Sequence, residues 1–179
     1  MKATGIVRRV DDLGRIVIPK ELRRTYHIRE NDPMEFYVEA GSIIVKKYSA
    51  MSTIFVDADV CAKALQRNFG ATVLVCGTDA VIAASRDMAG TCNKLLSDEL
   101  VLKIRNQKEY THIAGDSPLL PFAKSEESRY VQMLVPVLNE KELFGAVVIL
   151  NSDADTAFQD TMLRGARMAA MLLADHLGG

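Results

Sequence analysis

Arginines crowd a short stretch near the start of the chain, VRRVDDLGRIVIPKELRRTYHI at residues 7–28. This stretch holds five arginines and one lysine, but also the apolar triplet Ile16, Val17 and Ile18. Arginine stays charged and binds phosphate oxygens or guanine edges through two parallel hydrogen bonds. The stretch therefore has the chemistry of a surface that binds a polyanion.

The net charge of −1 over 179 residues hides an uneven distribution. Residues 1–50 carry ten Lys and Arg against seven Asp and Glu, a net +3, whereas residues 51–179 carry 12 against 16, a net −4. Within residues 1–29 the excess is sharper, with eight basic residues against three acidic ones. A local basic excess of this kind is typical of nucleic-acid binding.

Other side chains that could do chemistry give weaker signals. Cys61, Cys76 and Cys92 are too few and too far apart for a disulfide framework, and no CxxC or paired-histidine spacing indicates zinc. Cys61 and Cys76 fall in apolar runs, so only Cys92 is predicted to be exposed enough to react. No nucleophile and base pair can be identified. We expect no metal, no cofactor, no catalytic residue and no enzymatic activity.

The composition, 49% hydrophobic and 25% charged, is that of an ordinary globular protein. The chain lacks a run of about 18 uncharged apolar residues, and its N-terminus lacks an apolar signal core. We therefore expect a cytoplasmic protein without a membrane partner.

The first 50 residues are predicted to form a β-α-β unit. Two β-like runs, residues 4–10 and 15–18, surround a turn, and Pro19 fits the first position of a short helix. The runs MEFYVEA and IIVKKY then predict a second hairpin. A unit of this size buries too little surface alone, and both faces of its strands are partly apolar. We therefore expect an intertwined homodimer.

Residues 49–53 are the predicted boundary between two domains. Residues 54–179 are predicted to form, in order, a helix, two strands, further helices, one strand, two more strands and a closing helix. This order indicates an α+β domain around an antiparallel sheet. The closing helix, predicted over 154–177, carries two apolar rows. One row is expected to cover the sheet and the other to pack against another helix, which favours an oligomeric bundle. The rows are Phe158, Met162, Gly165, Ala169 and Leu172, and Leu163, Ala166, Ala170, Leu173 and Leu177.

The runs ATGIVRRVDDLGRIVIPKELRR and MEFYVEAGSIIVKKY closely resemble the AbrB-like swapped-hairpin DNA-binding domain of bacterial transition-state regulators. This resemblance covers about the first 48 residues. The element order of residues 54–179 is similar to that of a GAF domain. A chain that combines the two resembles regulators of endospore formation, which implies activation and repression of sporulation genes by a nucleoid-associated protein of the forespore.

The resemblance also implies which residues meet double-stranded DNA. Two interleaved β-α-β chains would form a dimer through residues 1–50 and present arginines on one face, and C-terminal helices would join two dimers into a tetramer. The positions that match the family's DNA-contacting arginines are Arg8, Arg15, Arg23 and Arg24. Arg9 and Lys2 are weaker candidates, because strand alternation turns Arg9 away from Arg8.

Two positions depart from the family pattern. Tyr26 stands where an aliphatic residue is common, which puts the packing of the short helix in doubt. Asn31 stands where glycine is frequent. Because asparagine tolerates a left-handed backbone, we expect Asn31 to preserve the turn.

GAF-like domains commonly bind small molecules, so the resemblance implies a sensor for an unidentified ligand. Residues 115–129 are either a lid over such a pocket or a surface loop, and Cys76, Ser85, Arg86 and Tyr110 are candidate lining residues. Two alternatives remain. One is an antitoxin-like autorepressor, although such antitoxins typically end in an extended tail; the other is a GAF-fold redox enzyme that uses Cys92.

Overall fold

A computed structural model of the chain describes residues 4–123, 129–140, 142–151 and 160–178. The chain divides into two compact parts, residues 1–48 and 49–179, which we name unit 1 and unit 2. Within the described residues, unit 1 holds a two-stranded sheet and unit 2 a five-stranded sheet.

The helix of unit 1 is short. Helix α1 (Lys20–Thr25) begins directly after Pro19, whose φ of −57° suits the entry to a helix. Tyr26 follows its last turn, and its backbone N–H donates to the carbonyl oxygen of Leu22 over 2.9 Å. Asn31 has a φ of 64°, which confirms the predicted left-handed backbone at that position.

The hairpin of unit 1 consists of strands β1 (Met34–Glu39) and β2 (Ser42–Lys47), which pair antiparallel. The two residues between them, Ala40 and Gly41, have φ of 44° and 79°. Positive φ at both positions is what a tight two-residue hairpin turn requires. Two cross-strand pairs place four apolar side chains on one face: Phe36, Val38, Ile43 and Val45.

The hairpin predicted over residues 4–18 is present in the single chain only as its turn. The Asp11 N–H donates to the carbonyl oxygen of Arg15 over 3.1 Å, and the Gly14 N–H donates to that of Asp11 over 3.0 Å. Among the described residues 4–19, none forms a strand. A strand exists only where a second strand satisfies its backbone groups, and this segment finds none within its own chain.

The sheet of unit 2 consists of strands β3 (Thr72–Cys76), β4 (Val81–Ala84), β5 (Tyr110–Thr111), β6 (Tyr130–Leu138) and β7 (Leu143–Asn151). It is antiparallel throughout, in the order β4-β3-β7-β6-β5. The central strands are buried on both faces, which explains why their sequences are almost continuously apolar. The predicted antiparallel sheet is confirmed.

Helices cover both faces of this sheet. Helices α2 (Phe55–Phe69) and α4 (Asp160–Gly178) bury their apolar residues on one face, and α3 (Asp98–Arg105) buries its own on the other. Short 3₁₀ helices lie at Ala50–Ser52 and Arg86–Thr91. Unit 2 is therefore an α+β domain with a complete core of its own on each side of the sheet.

The two apolar rows of the closing helix have different surroundings. The row of Leu163, Ala166, Ala170 and Leu173 is buried on the sheet, as predicted. In the other row, a side chain on Gly165 would lie 2.5 Å from the Phe69 ring, so the row packs against α2 of the same unit at this position, whereas Leu172 further along is 56% exposed. Residues 154–159 of the predicted helix, with Phe158, lie outside the described residues.

Candidate nucleic-acid interface

The four predicted arginines are all exposed in unit 1. Arg23 and Arg24 share the last turn of α1, where positive charge is also favoured by the negative end of the helix. Arg8 and Arg15 lie on either side of the turn at residues 11–14. In the described part of the chain no carboxylate pairs with Arg8, Arg23 or Arg24, so their charge is available to an outside anion.

The turn between Arg8 and Arg15 is organised by Asp11. One carboxylate oxygen, Oδ1, accepts hydrogen bonds from the backbone N–H groups of Leu13 (3.0 Å) and Arg15 (2.8 Å). The other, Oδ2, accepts one from Arg15 Nε over 2.7 Å. These bonds from the Arg15 backbone and guanidinium lower the pKa of Asp11. Asp11 stands four residues before Arg15, so the pair has a visible signal in the sequence.

The remaining basic candidates have simpler surroundings. Arg8 Nη1 donates to the carbonyl oxygen of Val7 over 2.9 Å and is otherwise exposed. Arg9 is exposed beside it, and Lys2 lies outside the described residues. The structure thus places Arg23 and Arg24 together on one helix, whereas Arg8 and Arg15 belong to the segment that has no strand partner.

Apolar side chains of unit 1 are exposed to an unusual degree. In the N-terminal segment, Val7 is 83% exposed and Val17 73%, and on the hairpin Val38 is 83% exposed. Ile16, Phe36, Ile43 and Val45 are exposed as well. The four exposed hairpin side chains share one face, and an exposed apolar patch on a folded protein usually marks an interaction surface. Unit 1 therefore has apolar residues suited to a core, but in a single chain these residues stay exposed.

Unit 2 contains a polar cluster that the sequence analysis did not find. Asp87 accepts hydrogen bonds from Gln66 Nε2 (2.7 Å), Ser85 Oγ (2.6 Å), Thr72 Oγ1 (2.5 Å) and Arg129 Nη1 (2.7 Å). Partial burial raises the pKa of Asp87, but the bonds from Ser85, Thr72 and Arg129 outweigh it and lower the pKa to about 2. Ser85 is only two residues from Asp87, but Gln66, Thr72 and Arg129 lie 15 to 42 positions away, so no local pattern predicts the cluster.

The candidate lining residues differ in their surroundings. Cys76 is buried, and Ser85 is bonded to Asp87. Residues 115–129, of which 124–128 lie outside the described residues, place Leu119 and Phe122 in the core rather than over an opening. In the described part of this segment, these buried residues therefore hold the chain to the core, while residues 115–118 are exposed.

A surface groove of about 540 Å³ lies elsewhere in unit 2, between the end of β6 and α4. Its floor includes Val135, Leu138 and Ala170, and its border includes Glu109 and Arg167. The Arg167 guanidinium donates to both Glu109 oxygens, over 2.7 Å and 2.6 Å, and so lowers the pKa of that carboxyl. None of the four predicted lining residues borders this groove.

The cysteines are unpaired. Burial raises the pKa of the Cys76 thiol well above its usual range, and burial together with the nearby Asp57 carboxylate raises that of Cys61. A raised pKa disfavours the reactive thiolate. Cys92 is only half-buried, directly after the second 3₁₀ helix.

Among the residues that the structure describes, no helix combines the length and the apolar character that a membrane crossing needs. In the same residues, no group of three or more His, Cys, Asp or Glu side chains is placed to hold a metal ion.

Two models of known protein families match different parts of the chain. The family model "Stage V sporulation protein T C-terminal, transcription factor" matches residues 57–178. The model "Antidote-toxin recognition MazE, bacterial antitoxin" matches residues 7–52. Over its first part the chain is also similar to transition state regulatory protein AbrB of Bacillus subtilis (strain 168), with 51% identity over 74 residues, 41% of this chain and 77% of that protein.

The fold of unit 2 is similar to a GAF domain. The cofactor-binding GAF domain of the nutrient sensor CodY from Clostridium difficile superposes with a TM-score of 0.52 at 20% identity, over 66% of this chain and 83% of that one. An AbrB-like N-terminal part followed by a GAF-like domain defines the class, a two-domain transcription regulator.

Within that class, stage V sporulation protein T of Bacillus subtilis (strain 168) is 42% identical over 161 residues, 86% of each chain. The chain belongs to the stage V sporulation protein T family of transcription factors.

Proposed function

We propose that this protein regulates transcription during sporulation by binding double-stranded DNA through the arginines of unit 1. The observation that carries the proposal is a set of exposed arginines on a unit whose apolar residues are also exposed. The unit needs a second copy to bury that surface, and pairing doubles Arg8, Arg15, Arg23 and Arg24 to eight arginines. Membership of a transcription-factor family supports this proposal.

The mode of pairing follows from what each part of unit 1 lacks. Residues 4–18 lack a strand partner, and the hairpin of β1 and β2 lacks a cover for the face of Phe36, Val38, Ile43 and Val45. Interleaving two copies would supply both, because one copy's N-terminal segment can pair with the strands of the other. We therefore assign dimer formation to residues 1–50.

Assembly beyond the dimer is assigned to α2 and α4. The start of α4 at Gly165 meets the end of α2 at Phe69, and its end at His176 lies 3.5 Å from Asp57 near the start of α2, so the two helices run antiparallel. Exposed apolar residues follow both helices at helical spacing: Val56 and Val60, and Met168 and Leu172. This outward face, joined to its copy, would link two dimers into a tetramer.

The test of DNA binding is its dependence on salt and on Arg23 and Arg24. If each of the eight arginines meets a phosphate, the logarithm of the association constant falls with the logarithm of salt concentration with a slope of about −7, from roughly 0.9 per phosphate. Arg23→Ala with Arg24→Ala removes four charges per dimer and is expected to abolish measurable binding. Fluorescence anisotropy measures the salt slope of the wild type and the DNA affinity of the variant.

The matched control is Arg67→Ala with Arg164→Ala, which removes the same charges from exposed positions of unit 2 and is expected to bind normally. Circular dichroism and native mass must be unchanged in both variants. A nearly flat salt dependence, or loss of binding in the control as well, contradicts the proposal.

Several finer assignments go with this proposal. The resemblance supports activation at some promoters and repression at others, by a cytoplasmic protein held at the chromosome of the forespore. We infer no enzymatic role, because two of the three thiols have raised pKa values and the family is one of transcription factors. We propose no antitoxin role, because residues after 52 form a domain with its own core rather than an extended tail.

Sensing of a small molecule by unit 2 is a second, separate proposal. It is favoured by the groove beside α4, whose volume of about 540 Å³ lies in the range of ligand sites. A thermal-shift screen of metabolites on the full-length protein tests it, since a ligand that binds only the folded state raises the unfolding temperature.

A further inference from the structure

Asp11 uses its two carboxylate oxygens for two different purposes. Oδ1 accepts from the backbone N–H groups of Leu13 and Arg15 and so holds the turn. Among the described residues, Oδ2 accepts only from the Arg15 side chain, at Nε over 2.7 Å. The backbone turn and the orientation of the Arg15 guanidinium thus depend on separate atoms of one residue.

The bond to Nε determines which part of the guanidinium remains available. Arg15 is otherwise open, with 69% of its side chain exposed. With Nε occupied, the outer edge formed by Nη1 and Nη2 is left to meet an acceptor outside the chain. A guanidinium edge with two parallel N–H donors fits a phosphate or the O6 and N7 atoms of guanine.

We propose that Asp11 is a positioning residue for DNA recognition: it holds Arg15 with the Nη1–Nη2 edge presented to the DNA. This inference rests on the proposed function of unit 1. Holding the side chain before binding reduces the entropy lost when the complex forms. A long exposed arginine without such a partner would have to be ordered by the DNA itself.

Because Asp11 is negatively charged, a positioning role and the absence of one predict opposite changes in DNA affinity when the charge is removed. A carboxylate near bound DNA repels phosphate, so removal of a carboxylate without a positioning role is expected to tighten binding. Removal of a positioning carboxylate weakens binding in spite of that repulsion. Asp12 is the matched comparison, because it is exposed in the same turn, carries the same charge and makes no hydrogen bond or ion pair with the described residues.

The experiment compares Asp11→Asn with Asp12→Asn in the full-length protein. Asparagine keeps a carbonyl oxygen that can accept from Leu13 and Arg15 N–H, but its amide offers only donors to Arg15 Nε. The probe is a duplex enriched by the wild-type protein from a random-sequence library, at fixed salt. Asp11→Asn is expected to weaken binding by about 3- to 10-fold, the cost of ordering one or two side chains on binding. Asp12→Asn is expected to bind equally well or more tightly.

A double-mutant cycle with Arg15→Ala separates positioning from folding. In the Arg15→Ala background, Asp11→Asn is expected to cause no further weakening, because the side chain that it positions is gone. Equal weakening in both backgrounds means that Asp11 only maintains the turn, and tighter binding by Asp11→Asn, as by Asp12→Asn, also overturns the inference. If instead Arg15→Ala itself leaves binding unchanged, the assignment of Arg15 to the DNA surface fails, which is a distinct result.

Discussion

Asp87 receives hydrogen bonds from four side chains that lie on α2, on β3, beside β4 and at the start of β6. A carboxylate that accepts this many bonds is stabilised in its charged form, in agreement with a pKa of about 2. The residue therefore joins parts of unit 2 that are far apart in sequence. Its contribution to stability depends on its ionisation.

Unit 2 is expected to lose stability in acid as Asp87 becomes protonated. The pKa in the folded state, about 2, is below the usual 3.8, so the stabilisation is complete above about pH 4 and is lost as the pH falls towards 2. Asp87→Asn is expected to lower the free energy of unfolding by about 1–2 kcal/mol at neutral pH, because it leaves polar partners unsatisfied. The free energy of unfolding of this variant should also depend less on pH between pH 4 and pH 2 than that of the wild type.

Urea unfolding followed by circular dichroism at a series of pH values measures both effects. Asp116→Asn, at an exposed position of the same unit, is the control and is expected to follow the wild type. If the free energy of unfolding of Asp87→Asn falls in acid as steeply as that of the wild type, other carboxyl groups are responsible for the loss of stability.

The residues of the candidate interface were predictable from the sequence to the extent that their chemistry is local. Arg23 and Arg24 stand side by side, and their exposure follows from their charge. Asp87 was not predictable, because its partners lie between 2 and 42 positions away and meet only in the folded sheet. Folding, rather than spacing along the chain, creates that cluster.

Among the elements, α4 shows most clearly what a pattern can and cannot predict. Its two apolar rows correctly indicated two packing surfaces, and the row on the sheet was identified. The sequence did not indicate that α2 would cover Gly165, since the neighbour of a helix face is decided by the arrangement of the whole layer. Similarly, strands were predicted in residues 4–18 from their residue types, but pairing needs a partner that a single chain does not provide.

The exposed apolar residues of α4 predict the effect of adding charge to this helix. Met168 is 61% exposed and Leu172 56%, one turn apart. Replacing both with glutamate adds two charges to each chain in the proposed contact between paired dimers and is expected to halve the mass from tetramer to dimer. Analytical ultracentrifugation measures the mass.

Thr161→Glu, which adds a charge at an exposed position in the first turn of the same helix, is expected to leave the tetramer intact. The circular dichroism of both variants must match the wild type. A tetramer that persists with both glutamates in place would rule out this face as the contact.

At the scale of the whole molecule, the two units differ in how complete they are. Unit 2 has buried clusters on both sides of its sheet, whereas unit 1 buries little of its apolar surface in a single chain. This difference predicts that residues 49–179 fold alone, and that residues 1–50 fold only as a dimer.

The fragment of residues 1–50 is expected to bind the same DNA as the full-length protein, but about a hundredfold more weakly, because two linked dimers bind with avidity. Fluorescence anisotropy compares the two affinities, and sedimentation gives the mass of each species. The fragment of residues 49–179 serves as the control and should not bind. Equal affinity of the short fragment and the full chain would show that unit 2 contributes nothing to binding.

The incomplete core of unit 1 also has a consequence for how the protein is made. Domains of a growing chain usually fold in the order in which they leave the ribosome, N-terminal first. Here, under the proposed pairing, the first part to emerge must wait for a second chain, while the later part can fold as soon as it is complete. Each newly made molecule therefore passes through a stage in which only unit 2 is folded, and the rate at which the DNA-binding form accumulates depends on the rate of encounter between two such molecules.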